Sequence, residues 1–202
     1  MLRAALFDLD GVLRHHDPDH AGRVESRYGL APGTLGRAAF EVARLQDAVS
    51  GVLRHEDWSR AVAEELTSTH GIDGPTAVAE YFAIEAMSVD ADVLELVRAV
   101  RRRVPVGVLT NGSSRLGEEL EAMALASEVD VVCNSWELGV AKPSRAAYER
   151  AAERLDASPS QCFFTDDRPA NVDAARAAGM TAHLFLDPDE LRKALRAARL
   201  VD

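Results

Sequence analysis

Short apolar runs recur along the chain, separated by stretches with helical periodicity. The runs cover residues 2–7, 104–109, 129–132, 162–164 and 181–186 and are rich in Val, Leu and Phe. They lack the alternation of apolar and polar residues that marks a strand with one face in water. Continuous apolar runs are typical of strands that are buried on both faces of a parallel sheet. The pattern therefore predicts buried parallel strands.

Helical periodicity fills the gaps between the later runs. Apolar residues at three- and four-residue spacing predict helices around 93–100, 146–155 and 169–178. Pro143 stands where proline is favoured, in the first turn of the second of these helices. Alternating strands and helices imply parallel strands joined by right-handed crossovers. The predicted fold class is α/β, with a three-layer, Rossmann-like parallel sheet core.

The segment after the first strand breaks this rhythm, because it shows helical patterns and no convincing strand. Apolar spacing marks helices around 35–45, 58–66 and 78–86. Such a segment is too long for an ordinary connection between neighbouring strands. We therefore expect an inserted helical cap at residues 14–89 and an α/β core formed by residues 1–13 and 90–202.

Composition restricts the partners of the protein. The chain has 23 Lys and Arg against 33 Asp and Glu, a formal net charge of −10, which disfavours binding of nucleic acid over a broad face. No apolar run approaches the roughly 20 residues that span a bilayer, and the acidic start is unlike a signal peptide. Cys133 and Cys162 make neither a disulfide framework nor a metal cluster. We expect a cytoplasmic protein without nucleic-acid or membrane partners.

Polar side chains suited to phosphate chemistry follow four of the predicted strands. Ligands of parallel α/β sheets bind outside the carboxyl ends of the strands, so these side chains are expected to meet at one edge. Crowded carboxylates repel each other unless a cation joins them, and an oxygen-only ligand set favours Mg²⁺. A lysine at the same edge suits a phosphate group. The residues concerned are Asp8, Asp10, Thr110, Asn111, Lys142, Asp166 and Asp167.

Four motifs resemble those of the haloacid dehalogenase-like (HAD) hydrolase superfamily. They are FDLDGV at 7–12, LTNG at 109–112, AKP at 141–143 and FTDDRPAN at 164–171. Any one of them is a weak signal, but the four stand in the superfamily's order over the whole chain, with a helical insertion where the superfamily has its cap. The cap and the Asp-Asp pair look most like the subgroup of small sugar-phosphate phosphatases and the amino-terminal phosphatase domain of soluble epoxide hydrolases.

The resemblance implies a Mg²⁺-dependent phosphatase that acts on a small phosphorylated metabolite. It implies that Asp8 is a nucleophile that forms an aspartyl-phosphate, and that Asp10 acts first as general acid and then as general base. The implied Mg²⁺ ligands are the carboxylates of Asp8 and Asp167 and the backbone carbonyl of Asp10. The resemblance also implies that Thr110 and Lys142 take part in both catalysis and phosphate binding, and that Asn111 takes part in phosphate binding alone.

Several alternatives stay open at this stage. Asn171 replaces an acid that many relatives carry, and is expected to orient metal-bound water or to cap the local turn. A direct role for Asp166 as a metal ligand is open, and His15 and His16 are expected to be solvated or packed. A phosphomutase or a 2-haloacid dehalogenase on the same scaffold, or a non-catalytic phospho-receiver or metabolite-binding module, are the alternative functions. The sequence indicates neither the physiological substrate nor the oligomeric state.

Overall fold

A five-stranded parallel sheet forms the centre of the computed structural model, which describes all 202 residues. The seven strands are β1 (Ala4–Phe7), β2 (Arg14–His16), β3 (Met87–Val89), β4 (Val106–Thr110), β5 (Val131–Asn134), β6 (Cys162–Asp166) and β7 (Thr181–Leu184). The order in the main sheet is β5-β4-β1-β6-β7, and all neighbours run parallel. The carboxyl end of β1 therefore lies between those of β4 and β6.

Five helices lie between β2 and β3 and share a hydrophobic core around Trp58, Val62 and Leu66. They are α1 (His20–Arg27), α2 (Thr34–Ala39), α3 (Val42–Val49), α4 (His55–His70) and α5 (Gly74–Tyr81). The prediction that this segment holds no strand is wrong, because β2 pairs antiparallel with β3, with Arg14 opposite Val89. Strands of three residues are too short to show a periodicity in the sequence. The division into a cap and a core at residues 14–89 stays a prediction.

The single helix predicted around 35–45 is two helices in the structure. At Glu41 the backbone leaves the helical conformation (φ −53°, ψ 131°), and its carboxylate accepts hydrogen bonds from the N–H groups of Ala43 and Arg44. The Glu41 side chain thereby satisfies N–H groups at the start of α3 that have no partner within the helix. The chain thus forms two helices, α2 and α3, although the spacing of apolar residues continues across the break between them.

Helices cover both faces of the main sheet. They are α6 (Ala91–Arg101), α7 (Leu116–Ala122), α8 (Ser135–Leu138), α9 (Arg145–Arg154), α10 (Pro169–Ala177) and α11 (Pro188–Ala197). One hydrophobic core holds Phe7 with residues of α6, α7 and α11, and the other holds Leu6 with residues of α8, α9 and α10. Neighbouring residues of β1 thus enter opposite cores, as expected of a strand without polar alternation. The predicted three-layer α/β fold is confirmed. None of the helices has both the length and the hydropathy that a membrane-spanning helix requires.

The predicted strands are all present, with ends displaced by two residues or fewer. Three of them continue through polar residues, since β4 ends at Thr110, β5 at Asn134 and β6 at Asp166, and each of these side chains is buried. The backbones of these residues still pair with the neighbouring strand, as Thr110 does with Asn134. Buried polar side chains therefore lie at the carboxyl ends of three strands of the sheet.

One predicted helix start is wrong. Pro143 lies outside α9, whose N-cap is Ser144, because residues 141–144 form a turn in which the Ser144 N–H donates to the carbonyl of Ala141. The residues that follow β4 also form a loop, and α7 begins at Leu116. The loop after β4 and the loop before α9 are joined to each other by hydrogen bonds between the Asn111 side chain and the Lys142 backbone.

Candidate active site

A buried lysine joins two carboxylates at the carboxyl edge of the sheet. Asp8 follows β1, Asp166 ends β6, and Lys142 lies in the loop between α8 and α9. Lys142 Nζ is 2.7 Å from Asp8 Oδ1 and 2.7 Å from Asp166 Oδ2. The three side chains are at most 8% exposed, so water screens their charges far less than it screens a surface ion pair. The strand order brings these distant parts of the chain together.

This buried group carries more negative than positive charge. Burial raises the pKa of Asp8 to about 7; the ammonium of Lys142 opposes this rise, and the charge of Asp166 adds to it. Burial also opposes ionisation of Asp166, but Lys142 and the N–H of Arg168 outweigh it and hold the pKa of Asp166 below its usual range. Lys142 therefore compensates one carboxylate fully and the other only in part.

Asp167 adds a third carboxylate to the group. Ligand oxygens of Asp8, Asp166 and Asp167 all lie within 4.8 Å of one another. Burial and the charge of Asp166 raise the pKa of Asp167, which shows that the position resists a further negative charge. Gly11 makes room for this carboxylate, because a Cβ at Gly11 would collide with Asp167, and its φ of +86° is readily adopted only by glycine.

The donor chemistry of this group fits Mg²⁺. Three ionised carboxylates against one ammonium leave two uncompensated negative charges, which equals the charge of one divalent cation. All the ligand atoms are oxygens, and neither cysteine nor histidine takes part. Hard cations such as Mg²⁺ prefer such oxygen ligands.

Several donors fix the orientation of Asp166. Asn171 Nδ2 lies 3.0 Å from each carboxylate oxygen, and the N–H of Arg168 donates to Oδ1 over 2.8 Å. The hydroxyl of Tyr148 in turn donates to the carbonyl of Asn171 over 2.8 Å. With Lys142 on Oδ2, both oxygens of Asp166 are engaged by donors. This arrangement suits Asp166 to holding Lys142 in place.

Asp10 lies at the same edge but outside the group of three carboxylates. Arg14 Nε donates to Asp10 Oδ1 over 2.6 Å and Arg14 Nη2 to Oδ2 over 3.2 Å, while His16 Nε2 lies 3.2 Å from Oδ1. Burial opposes ionisation of Asp10, but the contacts with His16 and Arg14 outweigh it and hold the pKa of Asp10 below its usual range. The side chain is 38% exposed, so it remains accessible from solvent.

The residues that follow β4 hold the loop that carries Lys142. Asn111 Nδ2 donates to the Lys142 carbonyl over 2.8 Å, and the Lys142 N–H donates to Asn111 Oδ1 over 2.8 Å. This reciprocal pair places the backbone of Lys142 beside β4. Thr110 is 1% exposed at the end of that strand, next to β1 in the sheet. The Asn111 side chain thus has a structural task, which leaves the backbone of Asn111 for the predicted contact with phosphate.

The structure brings most of the predicted residues to one edge and adds others. Asp8, Lys142, Asp166 and Asp167 meet directly, whereas Asp10 is held beside them by Arg14. Sequence reasoning missed what the neighbours do: Asn171 binds Asp166, Gly11 accommodates Asp167, and Glu119 of α7 pairs with Arg14. His15 and His16, expected to be solvated or packed, contact Asp90 and Asp10 respectively.

Comparison with known proteins identifies the family. The family model of the haloacid dehalogenase-like hydrolases matches residues 2–179. The chain therefore belongs to the haloacid dehalogenase-like hydrolases, and the predicted resemblance is confirmed. It is an enzyme of the hydrolase class.

Several relatives of known name are phosphatases. A phosphatase of Mycobacterium tuberculosis (strain CDC 1551 / Oshkosh) is 33% identical over 199 residues, which cover 91% of this chain and 87% of the relative. The fructose-1-phosphate phosphatase of Escherichia coli (strain K12) is 26% identical, over 88% of this chain and 93% of the relative. Bifunctional epoxide hydrolase 2 of Sus scrofa is 27% identical, over 93% of this chain but 37% of the relative.

Solved structures share the fold at low sequence identity. An HAD family enzyme of Bacteroides thetaiotaomicron, in complex with magnesium and inorganic phosphate, has a TM-score of 0.78 at 16% identity, over 95% of this chain and 99% of that one. A defluorinating L-2-haloacid dehalogenase has a TM-score of 0.71 at 21% identity, over 94% of this chain and 83% of that one. The fold of this chain thus occurs both in a protein that binds magnesium and inorganic phosphate and in a haloacid dehalogenase.

Proposed function

We propose that this protein is a Mg²⁺-dependent phosphatase of a small phosphorylated metabolite and works through an aspartyl-phosphate. The observation that carries the proposal is the buried Asp8–Lys142–Asp166 group with Asp167 beside it. The phosphatase names of the relatives support the reaction class. We also propose that α1–α5 act as a cap that excludes water from the site and contacts the substrate.

In the proposed mechanism Asp8 attacks phosphorus. The N–H of Leu9 and the ammonium of Lys142 both contact Asp8 Oδ1, each over 2.7 Å, which orients the carboxylate and leaves Oδ2 for the attack. The new bond joins Asp8 Oδ2 to phosphorus, the ester P–O bond breaks, and its electron pair stays on the leaving oxygen. Lys142 offsets the negative charge of Asp8 and of the incoming phosphate.

Asp10 supplies the proton that the leaving oxygen takes up. In the free enzyme the pKa of Asp10 is low, but a bound phosphate dianion places new negative charge nearby and raises that pKa, so that Asp10 takes up a proton from solvent before the transfer. Asp10 then accepts a proton from water as the water oxygen attacks the phosphorus of the aspartyl-phosphate. That second step releases inorganic phosphate and restores the Asp8 carboxylate. The Thr110 hydroxyl and the backbone of Asn111 are proposed to bind the phosphoryl oxygens.

The carboxylates of Asp8 and Asp167 and the backbone carbonyl of Asp10 would hold the Mg²⁺. When bound, the cation neutralises charge on the transferring phosphoryl group. Asp166 takes part through Lys142, whose ammonium it fixes over 2.7 Å.

Two observations favour phosphatase over dehalogenase chemistry. Dehalogenation has no leaving oxygen to protonate and needs no cation, yet this chain holds Asp10 in a defined position and places Asp167 beside Asp8. A phosphomutase shares all of these residues and differs only in the acceptor of the phosphoryl group. A phospho-receiver carries its acid pair and its phosphorylated aspartate on other strands than this chain does.

A substrate panel tests the proposed function. We expect release of inorganic phosphate from sugar and other small-metabolite phosphates with Mg²⁺, loss of activity in chelator, and loss in the Asp8→Asn variant. A matched control is Asp173→Asn, which alters a carboxylate that is 73% exposed and is expected to leave the rate unchanged. Halide release from 2-haloacids, or transfer of the phosphoryl group back to the sugar, identifies the alternative enzymes. Phosphatase activity that survives both chelation and Asp8→Asn would refute the mechanism.

A further inference from the structure

Two carboxylates bind the guanidinium of Arg14, and each of its three nitrogens has a carboxylate partner. Nε and Nη2 donate to the two oxygens of Asp10, over 2.6 and 3.2 Å, and Nη1 donates to Glu119 Oε2 over 2.7 Å. A planar guanidinium that meets both oxygens of one carboxylate fixes the plane of that carboxylate as well as its position. Arg14 therefore defines the orientation of Asp10, and Glu119 defines that of Arg14.

The backbone reinforces this geometry. The turn after β1 folds back on itself, because the N–H of Arg14 donates to the carbonyl of Leu9 and the N–H of Gly11 donates to the carbonyl of Arg14, both over 2.9 Å. Asp10 and Arg14 form an isolated β-bridge across this turn. The two side chains are thus held side by side by their own main chain before any substrate arrives.

Arg14 is placed behind Asp10 and away from solvent. Its side chain is 6% exposed, whereas that of Asp10 is 38% exposed. All three guanidinium nitrogens already have a carboxylate partner. A substrate can therefore reach Asp10 but not the guanidinium, so any effect of Arg14 on the reaction has to pass through Asp10.

We propose that Arg14 is a positioning residue which, anchored by Glu119, aims the Asp10 carboxyl group at the leaving oxygen of the substrate. The proposal rests on the proposed phosphatase function. Positioning a general acid matters most where the leaving group needs a proton, as an alkoxide does, and least where the leaving group is stable as an anion, as p-nitrophenolate is. Loss of Arg14 therefore changes the dependence of the rate on the leaving group.

The test compares kcat/KM for an alkyl phosphate and for p-nitrophenyl phosphate, both with saturating Mg²⁺. This quantity reports the first phosphoryl transfer, in which Asp10 acts as acid. General acid catalysis is worth about 10²–10⁴-fold, so we expect Arg14→Met to lower kcat/KM about 100-fold for the alkyl phosphate and less than about 5-fold for p-nitrophenyl phosphate. Arg14→Lys keeps the charge but loses the planar contact with both oxygens, and is expected to show the same selective loss.

Further variants separate positioning from a general effect on folding. Glu119→Gln removes the anchor and leaves Arg14 in place, so it is expected to show the selective loss in weaker form even if Arg14→Met does not fold. Arg98→Met is the matched control, because Arg98 pairs with Glu128 on the surface of α6, and it is expected to change neither rate. In an Asp10→Asn background, Arg14→Met is expected to cause no further loss, since two residues that act through one group are not additive.

Equal losses on both substrates, or a further loss in the Asp10→Asn background, would overturn the positioning role of Arg14 while leaving the phosphatase function intact. A wild-type protein that hydrolyses neither phosphate ester with Mg²⁺ would overturn the proposed function together with this inference. The two failures are therefore distinguishable from the same set of measurements.

Discussion

Replacing the buried carboxylate of Asp8 by its neutral isostere, in the Asp8→Asn variant, is expected to stabilise the metal-free protein. The pKa of Asp8 is raised from an ordinary 3.8 to about 7, so the native state holds this proton more tightly than the unfolded state does. The contribution of Asp8 to stability therefore falls as the pH rises from 3.8 to about 7, and the loss is complete above that range. Each pKa unit corresponds to about 1.4 kcal/mol, which gives a cost of about 4 kcal/mol at pH 8 as an upper bound.

Asp8→Asn removes this cost and keeps an oxygen that can accept from Leu9 and Lys142. Lys142 still has Asp166 as its counter-ion. Because the new amide loses some hydrogen bonding, we expect a net gain of about 1–3 kcal/mol in the free energy of unfolding at pH 8. Near pH 4 the gain is expected to vanish, because Asp8 is then protonated in the native state.

Urea unfolding in chelator at several pH values between 4 and 8 measures this difference directly. Asp173→Asn serves as the control, since its exposed side chain is expected to change stability by less than about 0.5 kcal/mol. A variant that is less stable than wild type at pH 8, or a gain that does not grow with pH, would refute the reasoning that Asp8 is an undercompensated buried charge.

Three other perturbations follow from the same site. Lys142→Met leaves Asp8 and Asp166 buried without their cation and is expected to destabilise the metal-free protein by about 3–5 kcal/mol at pH 8, as read from urea midpoints; an unchanged midpoint would contradict it. Gly11→Ala forces a Cβ against Asp167 at a φ of +86°. We expect the free energy of unfolding to fall by about 1–3 kcal/mol and the affinity for Mg²⁺, measured by calorimetry, to decrease. A variant with wild-type affinity for Mg²⁺ would contradict this prediction. The melting temperature of the wild-type protein is expected to rise as the Mg²⁺ concentration increases. A melting temperature that does not change with Mg²⁺ but rises with Ca²⁺ would contradict the metal assignment.

The layered sheet and the main residues of its edge were predictable because their signals are local. Each buried strand is a continuous apolar run, and the polar residues of interest follow such runs directly, as Asp8 follows β1. A parallel topology then places them at one edge without further information. This is why Asp8 and Asp167 could be chosen without coordinates, whereas Lys142, in the loop between α8 and α9, could be chosen from the resemblance of the AKP motif.

The contacts that support these residues were not predictable, because they depend on how loops fold back. Arg14 meets Asp10 across a turn with no helical or strand period, and its partner Glu119 is one of several acids between 118 and 121. The break between α2 and α3 likewise depends on the Glu41 side chain, which no apolar pattern records. Such contacts depend on the tertiary structure, which the periodicity of apolar residues does not indicate.

The antiparallel pairing of β2 with β3 brings the two ends of the α1–α5 segment together. The main chain enters the α1–α5 segment at Arg14 and returns at Val89, which lies directly opposite in the ladder, so entry and exit are only about 5 Å apart. A segment of different length can therefore join the same two ends without moving them apart. Grafting the corresponding segment of another relative onto these two strands therefore tests the proposal that α1–α5 contact the substrate, because the preferred substrate is then expected to change with the graft.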